Sequence, residues 1–182
     1  MGNHNAMYKF IKRFMVLEMI LVLTVVPSAR AYAAGGHNYY KGIPAQGAAV
    51  ADATAQSIAA SIKNNPAYVT DLQKIQAAAS VVAVYASRGI YGNDINKYYR
   101  SPYGVFVSGN YTCAGTTRAL GRVLDFMGYS WIHANENQYC HQWCIVLADG
   151  QWAYADGMAG IAGYGQYRSG TVLPDGSVVY FY

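Results

Sequence analysis

The apolar residues recur at helical spacing through the first two-thirds of the chain. From Ser130 onward they fall in strand-length runs separated by turn signals. Ala48 to Lys63 is Ala-rich and helical in character, and Asn64-Asn65-Pro66 stops it. The next helix opens on a capping box, Thr70-Asp71-Leu72-Gln73. Leu72, Ile75, Ala79, Val82, Ala83 and Ala86 then share one face, and Arg88-Gly89 closes the run. A third helix begins at Thr112 or Cys113 and ends at Gly128, a glycine suited to the left-handed stop position. Its buried stripe is Thr117, Leu120, Val123, Leu124 and Met127, which puts Cys113 on the inward face.

Ser130 to His133 reads as a strand, and Tyr139–Ala148 and Gln151–Asp156 flank an Asp149-Gly150 turn, a strong hairpin signal. Gly170–Leu173 and Ser177–Tyr182 flank Pro174-Asp175-Gly176, a second hairpin. The remainder reads as connection. Ala34–Gln46 is an extended lead-in, Gly92–Gly109 a long loop with a short strand at Gly104–Val107, and Gly157–Gly165 a glycine-rich loop. Helices first and sheet afterwards place the chain in the α+β class.

The N-terminal stretch has a different character. Lys9, Lys12 and Arg13 precede a mostly apolar run from Phe14 to Val26, interrupted by Glu18 and Thr24 and broken by Pro27. Small-residue sites follow at Ala29-Arg30-Ala31 and Ala31-Tyr32-Ala33. This layout predicts a secretory signal peptide over residues 1–33, cleaved after Ala31 or Ala33. It leaves residues 34–182 as a single domain of a secreted or cell-envelope protein. The apolar run falls short of the roughly 20 residues a membrane span needs, so no stable span remains after its removal.

Charge changes the picture once that leader is set aside. The leader up to Ala31 carries four basic side chains and one acid, which leaves 9 basic (13 − 4) and 8 acidic (9 − 1) in the remainder. A near-neutral domain has no electrostatic footprint for nucleic acid. The 3 cysteines, Cys113, Cys140 and Cys144, are an odd number, so at least one thiol is free or pairs with another molecule. On one strand Cys140 and Cys144 would lie about 13 Å apart, too far for a disulfide, which needs Cα atoms within about 7 Å.

Candidate chemistry comes from three segments. A thiol at a helix N-terminus, such as Cys113, has its pKa lowered by unpaired amides and by any nearby imidazolium. Its own N–H is a natural oxyanion donor. With Asp149-Gly150 as the hairpin loop, Asp156 falls opposite Trp143, and His141 opposite Met158 if the ladder runs that far. His141 and Asp156 are then diagonal neighbours on one face, within side-chain reach. A carboxylate there fixes the tautomer of the imidazole and stabilises it when protonated. Trp143, Asn110 and Tyr111 are the weaker candidates for a second oxyanion donor or a substrate contact. His133 is a competing base without a carboxylate placed by register, and His37 a weaker one. Cys140-His141-x-x-Cys144 is a poor zinc site, because the two cysteines should face away from His141 and no second Cys pair exists.

Tyr103 to Gly157 resembles the transglutaminase-like superfamily, especially its secreted bacterial members. The resemblance rests on Tyr103-Gly104-Val105-Phe106-Val107-Ser108-Gly109 leading into Cys113-Ala114-Gly115. It continues through the helix ending at Gly128, His141-Gln142-Trp143, Asp149-Gly150-Gln151-Trp152 and Asp156. It implies Cys113 as nucleophile, His141 as base and acid, and Asp156 as orienter. It also implies a papain-like core, with N-terminal helices and the nucleophile helix packed on an antiparallel sheet, and it calls for no cofactor and no metal. Thr116-Thr117 after the Cys-x-Gly, Gly157 after the Asp, and Cys144 depart from the family's common residues. These departures bear on substrate more than on the triad.

The resulting expectation is a cysteine acyl-transfer enzyme acting on a peptide or protein amide through a thioester. Water as acceptor makes it a peptidase or amidase, and a primary amine makes it a transglutaminase. The competing expectation is a catalytically inactive module of the same fold that binds peptide or glycan at the cell surface through its tyrosine-rich loops.

Overall fold

The computed structural model describes residues 37–92, 94–136, 138, 140–172 and 178–181, the segments 169–172 and 178–181 as backbone. The signal peptide with its cleavage after Ala31 or Ala33, and the Pro174-Asp175-Gly176 turn, lie outside the described residues. Three helices come first. Helix α1 (Ala45–Lys63) starts directly after Pro44, inside the stretch expected to be extended. The fixed φ of proline suits a helix entry, and the Ala48 N–H bonds to the Pro44 carbonyl (3.0 Å). Helix α2 (Asp71–Ser87) carries the complete capping box. The Gln73 N–H bonds to Thr70 Oγ1 (3.2 Å), and the Thr70 N–H to Gln73 Oε1 (3.1 Å). Helix α3 (Cys113–Met127) stops at Gly128, whose φ is +94°. The Gly128 and Tyr129 N–H groups return to the Asp125 and Leu124 carbonyls (3.0 and 2.9 Å), which is a Schellman stop. The stripe Thr117, Leu120, Val123, Leu124 and Met127 is buried throughout.

The main sheet runs β3 (Trp131–Ala134), β4 (Trp143–Ala148), β5 (Gln151–Asp156) and β6 (Ile161–Tyr164), antiparallel and in chain order. A parallel pair of two-residue strands, β1 (Ile90–Tyr91) and β2 (Asn110–Tyr111), closes the long loop. Strands β7 (Ser169–Val172) and β8 (Val178–Phe181) pair antiparallel as a separate ribbon, as the second hairpin signal predicts. The class is α+β. No helix among the described residues is long and apolar enough to cross a membrane.

Three further elements differ from the sequence reading. Gly104–Ser108 is a π-helical turn and not a strand. Pro102 suits the first turn of a helix, and Ser101 Oγ accepts the Gly104 N–H (3.2 Å) as its cap. Strand β4 begins at Trp143 and not at Tyr139, because β3 ends at Ala134, its ladder partner. Asn135, at φ +57°, turns the chain away there. The glycine-rich stretch after Asp156 holds β6. Gln76 of α2 fixes its start by accepting the Ala162 N–H and donating to the Gly160 carbonyl (2.7 Å each).

The Asp149-Gly150 turn does more than reverse the chain. Both residues are left-handed, at φ +51° and +77°. The Asp149 carboxylate accepts the free Asp71 and Leu72 N–H groups at the start of α2 (2.9 Å each). Those amides hold its pKa below the usual carboxylate range. The β4–β5 hairpin is thus tied at its tip to α2. On the other side of α3, Arg122 makes a paired bond to Asp52 of α1 (2.7 Å twice), and Tyr40 donates to the same carboxylate. Between these ties Ile75, Val82, Leu120, Val123, Leu124 and Val146 form the fully buried centre.

Candidate active site

Thr112, extended at φ −140° and ψ 177°, delivers the chain into α3 at Cys113. Its N–H and hydroxyl both bond to the Tyr99 carbonyl (3.2 and 3.3 Å). Gly115 permits that approach, since a Cβ there would lie 2.1 Å from the same oxygen. The Cys-x-Gly spacing therefore lets the helix start press against the Tyr98–Arg100 turn. The Cys113 Sγ is half-buried, 3.9 Å from the Cys140 carbonyl oxygen, in the cleft that His141 also lines. Burial pushes the thiol's pKa up. The His141 ring's bond and charge, with the Gln142 and Ala114 amides, outweigh it and set the net shift downward.

His141 lies just ahead of β4 and not on it, a correction to the strand placement. The β4–β5 ladder ends at Cys144 opposite Ala155. The ring nevertheless reaches Asp156, with Nε2 2.5 Å from Oδ2, because Asn135 Nδ2 holds the His141 carbonyl (2.9 Å). Asp156 is fully buried at the end of β5. Its Oδ2 also accepts the Tyr167 hydroxyl (2.8 Å), and its Oδ1 accepts the Met158 and Ala159 N–H groups (2.8 and 3.1 Å). Burial pushes this carboxyl up, but the His141 ring and these donors hold it below the usual carboxylate range. For the imidazole, burial works downward, and the Asp156 and Cys113 partners overcome it and raise the ring to about 9. The lowered thiol and the raised ring both favour the thiolate–imidazolium form of the pair.

Several positioning groups carry no local sequence signal. Buried His133 places Nε2 2.8 Å from Gln142 Oε1, and Gln142 Nε2 donates to the Gln138 carbonyl (3.3 Å). Burial first, then the Arg118 charge, lower His133 to about 4. The ring is neutral and braces the segment that carries His141. His37 stacks on Trp131, with ring centres 4.1 Å apart. Tyr167 stacks on Tyr154 (4.7 Å) and meets Trp143 edge-on (5.1 Å) above the His141–Asp156 couple.

An open cleft of about 1290 Å³ contains Cys113, His141 and Asp156 together, with Gln142 and Tyr167. Trp143, Asn110 and Tyr111 are not among its lining residues. Trp143 is buried behind His141 (6.2 Å between ring centres), and Asn110 and Tyr111 form β2. All three cysteines are free. Cys140 Sγ donates to Gln138 Oε1 (3.6 Å), and fully buried Cys144 donates to the Thr117 carbonyl (3.4 Å). No group of three or more His, Cys, Asp or Glu among the described residues is arranged to hold a metal ion. A thiol of lowered pKa, a ring that can give and take a proton, and a helix start whose first N–H groups have no intrahelical partner can together attack and cleave an acyl bond.

No protein-family model and no curated protein matches the sequence. Among solved structures the chain is similar to one described as the crystal structure of a TGase. The identity is 16% and the TM-score 0.49, over 87% of this chain and 41% of that one. The chain thus spans about two-fifths of that structure's length.

Proposed function

We propose that this chain is a secreted or cell-envelope cysteine acyl-transfer enzyme with a transglutaminase-like core, acting on peptide or protein amides. The observation that carries this reading is the convergence of the Cys113 thiol, the His141 ring and the Asp156 carboxylate in one open cleft. Location rests on the N-terminal sequence pattern alone.

The thiolate of Cys113 attacks the amide carbonyl carbon, and the carbonyl electrons move onto oxygen. The N–H groups of the first helical turn, that of Cys113 among them, face the developing oxyanion. With Nε2 engaged by Asp156, the other ring nitrogen of His141 gives its proton to the departing amine as the C–N bond breaks. A thioester remains. The now neutral ring takes a proton from water, the resulting hydroxide attacks the thioester, and the carboxylic acid leaves as the thiolate is restored. A primary amine in place of water gives a new amide. We favour hydrolysis, because water needs no second binding site. Asp156 keeps its charge throughout and stabilises the imidazolium.

The test is a peptide-library time course with and without a primary amine, read by mass spectrometry, beside iodoacetamide labelling of the three thiols. Cleavage that is lost in a folded Cys113→Ala variant, with Cys113 labelled faster than Cys140 at neutral pH, is the expected result. No turnover of any amide, together with equal slow labelling of both thiols, overturns the reading and favours the inactive binding module.

A further inference from the structure

We propose that the substrate of this cleft is an acidic peptide segment, held by a cationic wall made of Lys41, Lys97 and Arg100. The inference rests on the acyl-transfer reading for its site, but its evidence is separate. Nine basic side chains lie beyond the leader (13 − 4), and four of them, Lys41, Lys97, Arg100 and Arg118, line the cleft. The acids that line it are Glu136 and Asp156, and both are already engaged. Glu136 pairs with Arg118 (2.9 Å) and Asp156 with His141.

The other acids among the described residues are hydrogen-bonded as well. Asp52 holds Arg122 and Tyr40, and Asp125 holds Tyr39 and Trp131. Asp71 accepts Tyr129, Asp94 caps Tyr98 and Tyr99, and Asp149 caps α2. Lys41, Lys97 and Arg100 are exposed, and none forms an ion pair among the described residues. Arg100 is propped face-on over the Tyr99 ring (5.3 Å), which stiffens it without neutralising it. Lys97 sits in the left-handed turn, φ +59°, that opens the Tyr98–Arg100 segment.

That segment is the one whose Tyr99 carbonyl seats the start of α3. Lys97 and Arg100 are therefore held against the start of the helix that carries the thiol, and Lys41 joins them from the turn before α1. Three of the nine basic side chains beyond the leader thus stand in the cleft, exposed and without an ion pair among the described residues. A concave surface lined by one sign of charge concentrates ligands of the other. A peptide meets that demand with carboxylates, either from Asp and Glu side chains or from its own C-terminus.

The experiment measures alkylation of Cys113, which needs no turnover. The ratio of the iodoacetate rate to the iodoacetamide rate compares an anion with its neutral analogue at the same sulfur. A Lys41→Gln/Lys97→Gln/Arg100→Gln variant should lower that ratio roughly fivefold to tenfold at low ionic strength. Lys63→Gln, away from the cleft, should leave it unchanged. His141 stays in place in both, so its charge does not enter the comparison.

Three acetylated peptides then serve as protectants against iodoacetamide. One carries Glu side chains and an amidated end, one Gln side chains and a free carboxylate, and one Gln side chains and an amidated end. Protection by either carboxylate-bearing peptide, weakened by salt and lost in the triple variant, supports the proposal and says which carboxylate is read. Equal protection by all three peptides, protection by none, or an unchanged ratio in the triple variant overturns it. Failure of the acyl-transfer reading shows differently, as a Cys113 no more reactive than Cys140.

Discussion

Removing the His141 ring separates opposing influences on the Cys113 thiol. Burial raises the thiol's pKa, the ring lowers it, and the Gln142 and Ala114 amides add a smaller lowering. In His141→Gln the midpoint of iodoacetamide labelling should move up in pH, and the rate at pH 7 should fall by about tenfold or more, because the thiolate fraction drops tenfold for each pH step the midpoint climbs. A midpoint that stays in place refutes the pairing. The same ring has a stability consequence. Its folded pKa lies near 9 against 6.5 for the free side chain. The folded form therefore gains from the bound proton fully below 6.5, and the gain fades as pH climbs through about 9. Denaturant midpoints across that window should decline in the parent and decline less in the variant.

The legible parts of the candidate site were those with a local signal. A thiol at a helix start and a His–Asp diagonal across an Asp-Gly turn need only spacing to be seen. The bracing roles of Gln142, Asn135 and Tyr167, and that of His133, which sequence offered only as a competing base, were not legible, because each acts through a partner that only folding brings near.

Elements show the same division. The Thr70 capping box, the Gly128 stop and the Asp149-Gly150 turn are written in a few adjacent residues, and each stands where its signal lies. Strand β6 and the π-helical turn depend on Gln76 and Ser101 instead, and periodicity does not report such partners. The contact of α3 with β3 tests which kind of signal dominates. By helix propensity, Gly121→Ala should stabilise α3 by about 1 kcal/mol. A Cβ at that position, however, would lie 1.9 Å from the Trp131 indole. That rigid ring is buried and tied through Nε1 to Asp125 (3.1 Å), so it has no room to withdraw. Urea unfolding of Gly121→Ala should therefore show a net loss of about 1–3 kcal/mol. A gain would mean that the two elements separate easily.

Across the molecule, helices α2 and α3 are bound to the sheet by features that also hold the cleft. The tip of the hairpin that ends at Asp156 caps α2, and α2 in turn fixes the β5–β6 connection through Gln76. Cys144 lies where β4 meets α3, fully buried, its thiol against the Thr117 carbonyl and pushed well above its ordinary pKa by burial. Alkylation at Cys144 should accordingly be negligible in the folded protein and begin only when sheet and helix part. Its rate should follow the unfolded fraction through a urea series, whereas Cys113 reacts without any opening. The chain thus contains two clocks of the same chemistry, one timing the reagent's arrival at the cleft and the other timing the moments when the whole framework lets go.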